Sequence, residues 1–318
     1  MKYAIVSDIH GNNTALQAVL ADAAAQKVDK YLFLGDYTFK YSQGNEAVDT
    51  LRKVTPAVVI KGNGEGYYAD LIGKNFHELT NEQMKPLYWG YKVLSPQNLE
   101  YVMNLPQAAA ITDNGYTINL SHACSLFFRP VKIELFHSRN FRAIMTKEPF
   151  THEHYLLFAR AVLLSCPGVL EELGEMPEGI YLFGHNHLQF HMEYEGRLFI
   201  NPGGCGDPLD FDTRAPYTIL NIDDTGWQVE ERRVEYDISL VTGHLDSSGF
   251  TEYAPVWSEI TKLQLQTAKD YMEPFILHLE ETGRKMGEYK PPVSNAAWDE
   301  AVKTWDVRRI SGSSRRGV

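Results

Sequence analysis

Near the start of this chain Asp8 and His10 stand two positions apart, directly behind the apolar run Tyr3-Ala4-Ile5-Val6. Both side chains can bind a divalent cation, through carboxylate oxygen and imidazole nitrogen. The pattern returns further along. Tyr31-Leu32-Phe33-Leu34 ends in Gly35-Asp36, and Ala57-Val58-Val59-Ile60 is followed by Lys61-Gly62-Asn63. Tyr116-Thr117-Ile118-Asn119-Leu120 ends in Ser121-His122, and Ile180-Tyr181-Leu182-Phe183 ends in Gly184-His185-Asn186-His187. One Asp after a strand is ordinarily a turn former or a helix cap. Five such endings in one chain point to a shared site at the carboxyl edge of a sheet, where the ligands of open α/β folds collect.

The residues so collected are Asp8, His10, Asp36, Asn63, His122, His185 and His187. They offer oxygen and imidazole nitrogen but no thiolate, which argues against a structural zinc site. Seven donors are too many for one tetrahedral ion and suit two ions that share a bridging carboxylate. Such a pair, roughly 3.5–4 Å apart, clamps a phosphoryl group and supplies a hydroxide nucleophile near neutral pH. The donor set admits manganese, iron, zinc, nickel or cobalt.

The elements that must position these groups alternate strand and helix, the mark of an α/β fold. A helix is expected from Thr14 to about Gln26, with Ala15, Leu16, Val19, Leu20 and Ala23 inward and Asn12 or Asn13 as its cap. Tyr67 to Leu105 turns helical; Thr80-Asn81-Glu82-Gln83 reads as a capping box and Ser95-Pro96 as a cap followed by a first-turn proline. Hairpins are expected at Asp113-Asn114-Gly115, at Glu195-Gly196 and at Asp223–Gly226. Hairpins beside βα units imply two mixed sheets with helices outside, a four-layer α/β/β/α sandwich. Residues 125 to 176 read as mostly helical, most clearly over Tyr155–Leu164. Pro255–Met286 reads as one long amphipathic helix bent at Pro274, and Ala296–Val307 as a short one. The expected organisation is a catalytic domain over 1–236, a helical extension over 237–307 that packs on it or forms a homodimer, and a disordered basic tail over 308–318.

A chain of 318 residues with 44% hydrophobic and 22% charged residues has the composition of a soluble globular protein. Its net charge of −11 argues against a membrane-surface or stable nucleic-acid binder. No apolar stretch approaches the roughly 18 residues of a membrane span. The N-terminus lacks the layout of a signal peptide. Three scattered cysteines do not make a disulfide framework, so a cytoplasmic location is expected.

The ordered set Asp8-Ile9-His10-Gly11-Asn12, Gly35-Asp36, Gly62-Asn63, Ser121-His122, Gly184-His185-Asn186-His187 and Asn201-Pro202-Gly203 resembles the calcineurin-like metallophosphoesterases over about residues 1–236. The Asn201-Pro202-Gly203-Gly204 loop is most similar to that of the small bacterial and archaeal phosphodiesterases. The resemblance implies one metal held by Asp8, His10, Asp36 and His187. The second would be held by Asp36, Asn63, His122 and His185, with Asp36 bridging and His122 helping to stabilise charge on the phosphoryl group. Manganese is the expected metal. One departure stands out: the family's His after the motif Asn is Gly64 here. A missing proton donor matters most for poor leaving groups, so activated diesters or phosphoanhydrides are expected.

Arg129, Lys132, Arg139, Arg142 and Lys147 gather after His122. Arg139 and Arg142 are expected to grip additional phosphates, as a dinucleoside polyphosphate or another nucleotide would require. Asn12, at a helix start, offers a further anion contact. The bland alternative for the basic segment is a solvated helix face. Two rival functions remain: a protein Ser/Thr phosphatase, disfavoured because Tyr37-Thr38-Phe39-Lys40 holds no Arg, and a non-catalytic scaffold of the same fold, disfavoured because the ligand set is complete.

Overall fold

The computed structural model describes residues 1–123, 157 and 169–306. Arg139, Arg142, the basic segment around them, the helix expected over Tyr155–Leu164 apart from Leu157, and the basic tail lie outside the described residues.

Two mixed five-stranded sheets stack face to face with helices flanking them. The first runs in the order β10-β9-β1-β2-β3, made of β1 (Lys2–Val6), β2 (Lys30–Phe33), β3 (Ala57–Val59), β9 (Ala215–Asp223) and β10 (Gly226–Val234). The second runs β4-β5-β6-β8-β7, made of β4 (Ala108–Asp113), β5 (Tyr116–Ser121), β6 (Gly179–Leu182), β7 (Gln189–Tyr194) and β8 (Arg197–Pro202). β1 lies at the centre of its sheet, parallel to β2 on one side and antiparallel to β9 on the other.

The period of two along each strand explains the layering. From β1, Tyr3 and Ile5 point into the space between the sheets, where they meet Leu32, Ile118, Leu120, Ile180, Leu182, Leu198, Ile200 and Leu220. Ala4 and Val6 point the other way and pack with Leu16 and Val19 of the helix over Asn13–Ala25. A strand buried on both faces needs an unbroken apolar run, which is what its sequence shows. All three expected hairpins form; Asn114 and Gly115 take positive φ (45° and 82°), as a two-residue turn between twisted strands requires.

Two local expectations are corrected. Thr80-Asn81-Glu82-Gln83 does not build a capping box: Gln83 Oε1 accepts from Val293 N (3.0 Å) instead of from Thr80 N, and the Asn81 amide donates to the Val293 carbonyl (2.7 Å), tying down a distant loop. The expected long helix is two, Pro255–Thr267 and Met272–Lys285, broken at Ala268 with φ 50° rather than bent at Pro274. Pro274 sits in the first turn of the second helix, where its missing N–H has no partner to lose. Gln264 Oε1 accepts from the Tyr271 and Met272 N–H groups (3.3 and 2.8 Å) and supplies the partner those donors need.

These helices form a layer with its own aromatic centre, Trp257, Phe275 and Trp298, whose rings meet at 5.2–5.6 Å. Tyr41 and Trp89 of the α/β body are buried in the same cluster and join the two. Among the described residues no helix is long and apolar enough to cross a membrane.

Candidate metal centre

The loops after the strands carry the expected donors in an unusual backbone state. Asp8, His10, Asp36, His185 and His187 all have positive φ, between 52° and 72°. A non-glycine residue there costs about 1–3 kcal/mol unless its surroundings fix it. The surroundings do. Asp8 N donates to Gly35 O (3.0 Å), His10 N to Asp36 O (2.9 Å) and Gly11 N to Tyr37 O (2.9 Å), locking the first loop onto the second. The buried Glu65 carboxylate then accepts from Asp36 N (3.0 Å), Tyr37 N (2.8 Å) and Gly62 N (3.0 Å), locking the second onto the third. Close approach explains the glycines beside these residues: a Cβ on Gly62 would stand 2.1 Å from Asp36 Oδ1, and one on Gly184 would stand 2.0 Å from Ser7 Oγ.

The result is two groups of converging donors, Asp8-His10-His187 and Asp36-His122-His185, each with ligand atoms within 4.8 Å of one another. Asp36 Oδ2 lies between them, 3.8 Å from His10 Nε2 and 3.4 Å from His122 Nε2. Asp8 Oδ1 is 3.4 Å from His187 Nε2 and 3.8 Å from His10 Nε2. Asn63 Nδ2 donates to Tyr67 Oη (3.1 Å), and its Oδ1 is buried without a hydrogen-bond partner. The seven residues gathered from the sequence therefore meet where the strand ends of the two stacked sheets come together.

Neighbouring groups set which imidazole nitrogens are bare. His122 Nδ1 faces the Leu34 carbonyl at 2.8 Å, and His187 Nδ1 faces the Asp207 carbonyl at 2.6 Å. A carbonyl only accepts, so both Nδ1 atoms carry hydrogen and both Nε2 atoms turn to the site. Asp8 Oδ1 and His122 Nε2 are buried and find no hydrogen-bond partner among the described residues. Orphaned buried polar atoms of this kind call for a ligand.

The charges agree. Burial alone would raise the Asp8 and Asp36 carboxyls; the imidazoles facing them prevail and hold both well below the usual range. Burial lowers His10 to about 4. It would lower His122 and His187 too, but Asp36 and Asp8 beside them push these to about 10 and about 9. The site thus draws positive charge, and in the bare protein it takes that charge as protons. Divalent cations satisfy the same demand, so the residues present fit them.

Of the remaining candidates, Arg139 and Arg142 lie outside the described residues. Asn12 is fully buried, accepts from Ala15 N (3.0 Å) as the helix cap and donates to Gly206 O (2.9 Å), which commits both ends of its amide to backbone. Gly64, where the family's extra His would stand, packs on Phe39: a Cβ there would come within 2.3 Å of that ring. Phe39 in turn lies edge-on to His10, ring centres 5.4 Å apart.

Two supporting residues escaped the sequence reading. Glu65 follows the Gly62-Asn63-Gly64 turn directly, and Asp207 belongs to a Gly206-Asp207 pair that repeats Gly35-Asp36. Asp207 is buried; its Oδ2 pairs with Lys40 Nζ and lies 3.1 Å from His187 Nδ1, while its Oδ1 accepts from Tyr41 Oη (2.7 Å) and Gln264 Nε2 (3.2 Å).

These side chains open onto a cleft of about 360 Å³ lined by His10, Asp36, Asn63, His185 and His187, with Phe39, Lys40 and Tyr67 beside them and Met272 and Glu273 from the helical layer on the rim.

Residues 1–225 match the calcineurin-like phosphoesterase superfamily domain. The chain belongs to that superfamily. A curated relative, an uncharacterized protein of Methanocaldococcus jannaschii, is 27% identical over 251 residues, 74% of this chain and 88% of that protein. Among solved structures, a metallophosphoesterase from Sphaerobacter thermophilus superposes with a TM-score of 0.56 at 23% identity, over 84% of this chain and 99% of the other. A hypothetical protein of Pyrococcus horikoshii gives 0.55 at 17% identity, over 80% and 97%. Both likenesses are of fold.

Proposed function

We propose that the chain is a dinuclear-metal-dependent phosphoesterase that hydrolyses phosphodiester or phosphoanhydride bonds of small molecules. One ion would be held by Asp8, His10 and His187, the other by Asn63, His122 and His185, with Asp36 shared. The observation that carries this reading is the position of Asp36 Oδ2 between two donor triads, in which the buried Asp8 Oδ1 and His122 Nε2 find no hydrogen-bond partner among the described residues.

Bound there, a pair of ions such as manganese would polarise phosphoryl oxygens and lower the pKa of water to the neutral range. The protein's part is to hold the donors still. The Leu34 carbonyl keeps the proton of His122 on Nδ1, and Asp207 does the same for His187. Glu65 fixes the loops that carry Asp36 and Asn63. With Phe39 in the place of an extra imidazole, a leaving group that departs as a stable anion is favoured, which suits activated diesters and nucleotide anhydrides.

The test is a substrate panel on purified protein with added manganese: mono- and diesters, cyclic nucleotides, dinucleoside polyphosphates and a phosphopeptide. Cleavage of bis-p-nitrophenyl phosphate or of an anhydride, abolished by Asp36→Ala, is the expected result. Metal-loaded protein that cleaves none of them would overturn the reading.

A further inference from the structure

Lys40 stands out in the wall of the cleft. It is the one Lys or Arg among the described residues lining it, beside His10, Asp36 and His187. It is 7% exposed, and its backbone holds φ 93°, a conformation that side-chain-bearing residues rarely adopt. The chain holds it there through Tyr41 N, which donates to His10 O (2.9 Å), and Gln43 N, which donates to Gly11 O (3.1 Å). The fold thus keeps a buried ammonium beside the donor cluster at a conformational cost.

The ammonium has three donors, and among the described residues its hydrogen bond is to Asp207. Asp207 is itself saturated: Lys40 and His187 lie at one oxygen, and Tyr41 and Gln264 donate to the other. It therefore steers Lys40 without needing all its hydrogens. An ammonium with donors left over, on a residue that lines the cleft, suits a phosphate oxygen.

We propose that Lys40 binds a non-bridging phosphate oxygen of the substrate, with Asp207 as the positioning residue that aims it. The inference rests on the phosphoesterase reading for the identity of the ligand. Lys40 and His187 share one carboxylate, so the anion contact and the first donor cluster are set together. Because Gln264 also bonds Asp207, the helical layer takes part in aiming Lys40.

The test measures inorganic phosphate binding to manganese-saturated protein by calorimetry, with KM and kcat for bis-p-nitrophenyl phosphate alongside. Lys40→Met alone strands the buried Asp207 carboxylate and risks misfolding, so Lys40→Met/Asp207→Asn is compared with Asp207→Asn, each checked for a cooperative melt. The double variant is expected to bind phosphate about tenfold or more weaker than Asp207→Asn, with KM raised by a similar factor and kcat less affected. Lys40→Arg should keep most of the affinity. Equal phosphate affinity in the double and single variants overturns the proposal, and so does a wild type that binds no phosphate. A wild type that binds phosphate through Lys40 yet cleaves nothing upholds the contact and sinks the hydrolase reading instead.

Discussion

The two donor clusters use the same residue types but are supported differently. His122, in the second, is oriented by the Leu34 carbonyl, and Asp36 beside it by Glu65 and by Gly64 N, which donates to Asp36 Oδ1 at 2.7 Å. Those supports all come from the α/β body. His187, in the first cluster, is oriented by Asp207, and Asp207 is held by Lys40, Tyr41 and, from the helical layer, Gln264. Among the described residues, the supports of His122 and Asp36 stay within the α/β body, whereas that of His187 reaches into the helical layer. Damage to the helices should therefore reach one ion and spare the other.

The largest effect removes what the clusters share. Asp36→Ala should weaken metal binding at both by more than about 100-fold, beyond the cost of losing a supporting residue, and metal analysis of dialysed protein would read it. Unequal retention of the two ions would show that Asp36 is no bridge. Asp207→Asn separates the clusters: affinity should fall about 10–100-fold at the first site, with one ion still held tightly in a manganese titration. Glu65→Gln should act on stability, because amide hydrogens replace an acceptor facing the Asp36 and Gly62 N–H groups. A loss of about 1–3 kcal/mol per stranded donor is expected in denaturant unfolding. Gln264→Leu is the smallest and most telling: under about tenfold at the first site, nothing at the second, with about 1–2 kcal/mol of stability lost as the Tyr271 and Met272 donors lose their acceptor.

The same contrast explains what the sequence made legible. Asp8, Asp36, Asn63, His122 and His185 each follow an apolar run and a small residue, because parallel strands deliver their loops to one side; they could be read without knowing which strands pair. The buried faces of β1 and β6 were equally plain, since a strand covered on both sides must be apolar throughout. The supports were not legible. Glu65 and Asp207 act on backbone groups and rings far along the chain, and nothing local distinguishes a carboxylate that accepts four N–H groups from one that faces water. Asn12 shows the other side: its place before a helix suggested an anion contact, and the fold also engages its oxygen with Ala15 N and its amide with Gly206 O, which its position does not announce. The break at Ala268 went unread because Gln264, a side chain, does the work that a cap residue usually does.

The central position of β1 has a consequence for how the protein is made. Its second edge pairs with Ala215–Asp223, so on the ribosome the first strand waits for most of the chain to be synthesised, roughly 10–40 s at about 5–20 residues per second. Through that interval it has β2 on one side only, and His185, His187 and Asp207 are among the later arrivals. A nascent chain therefore exposes an apolar ribbon early and completes the candidate metal centre only after Asp207 has emerged.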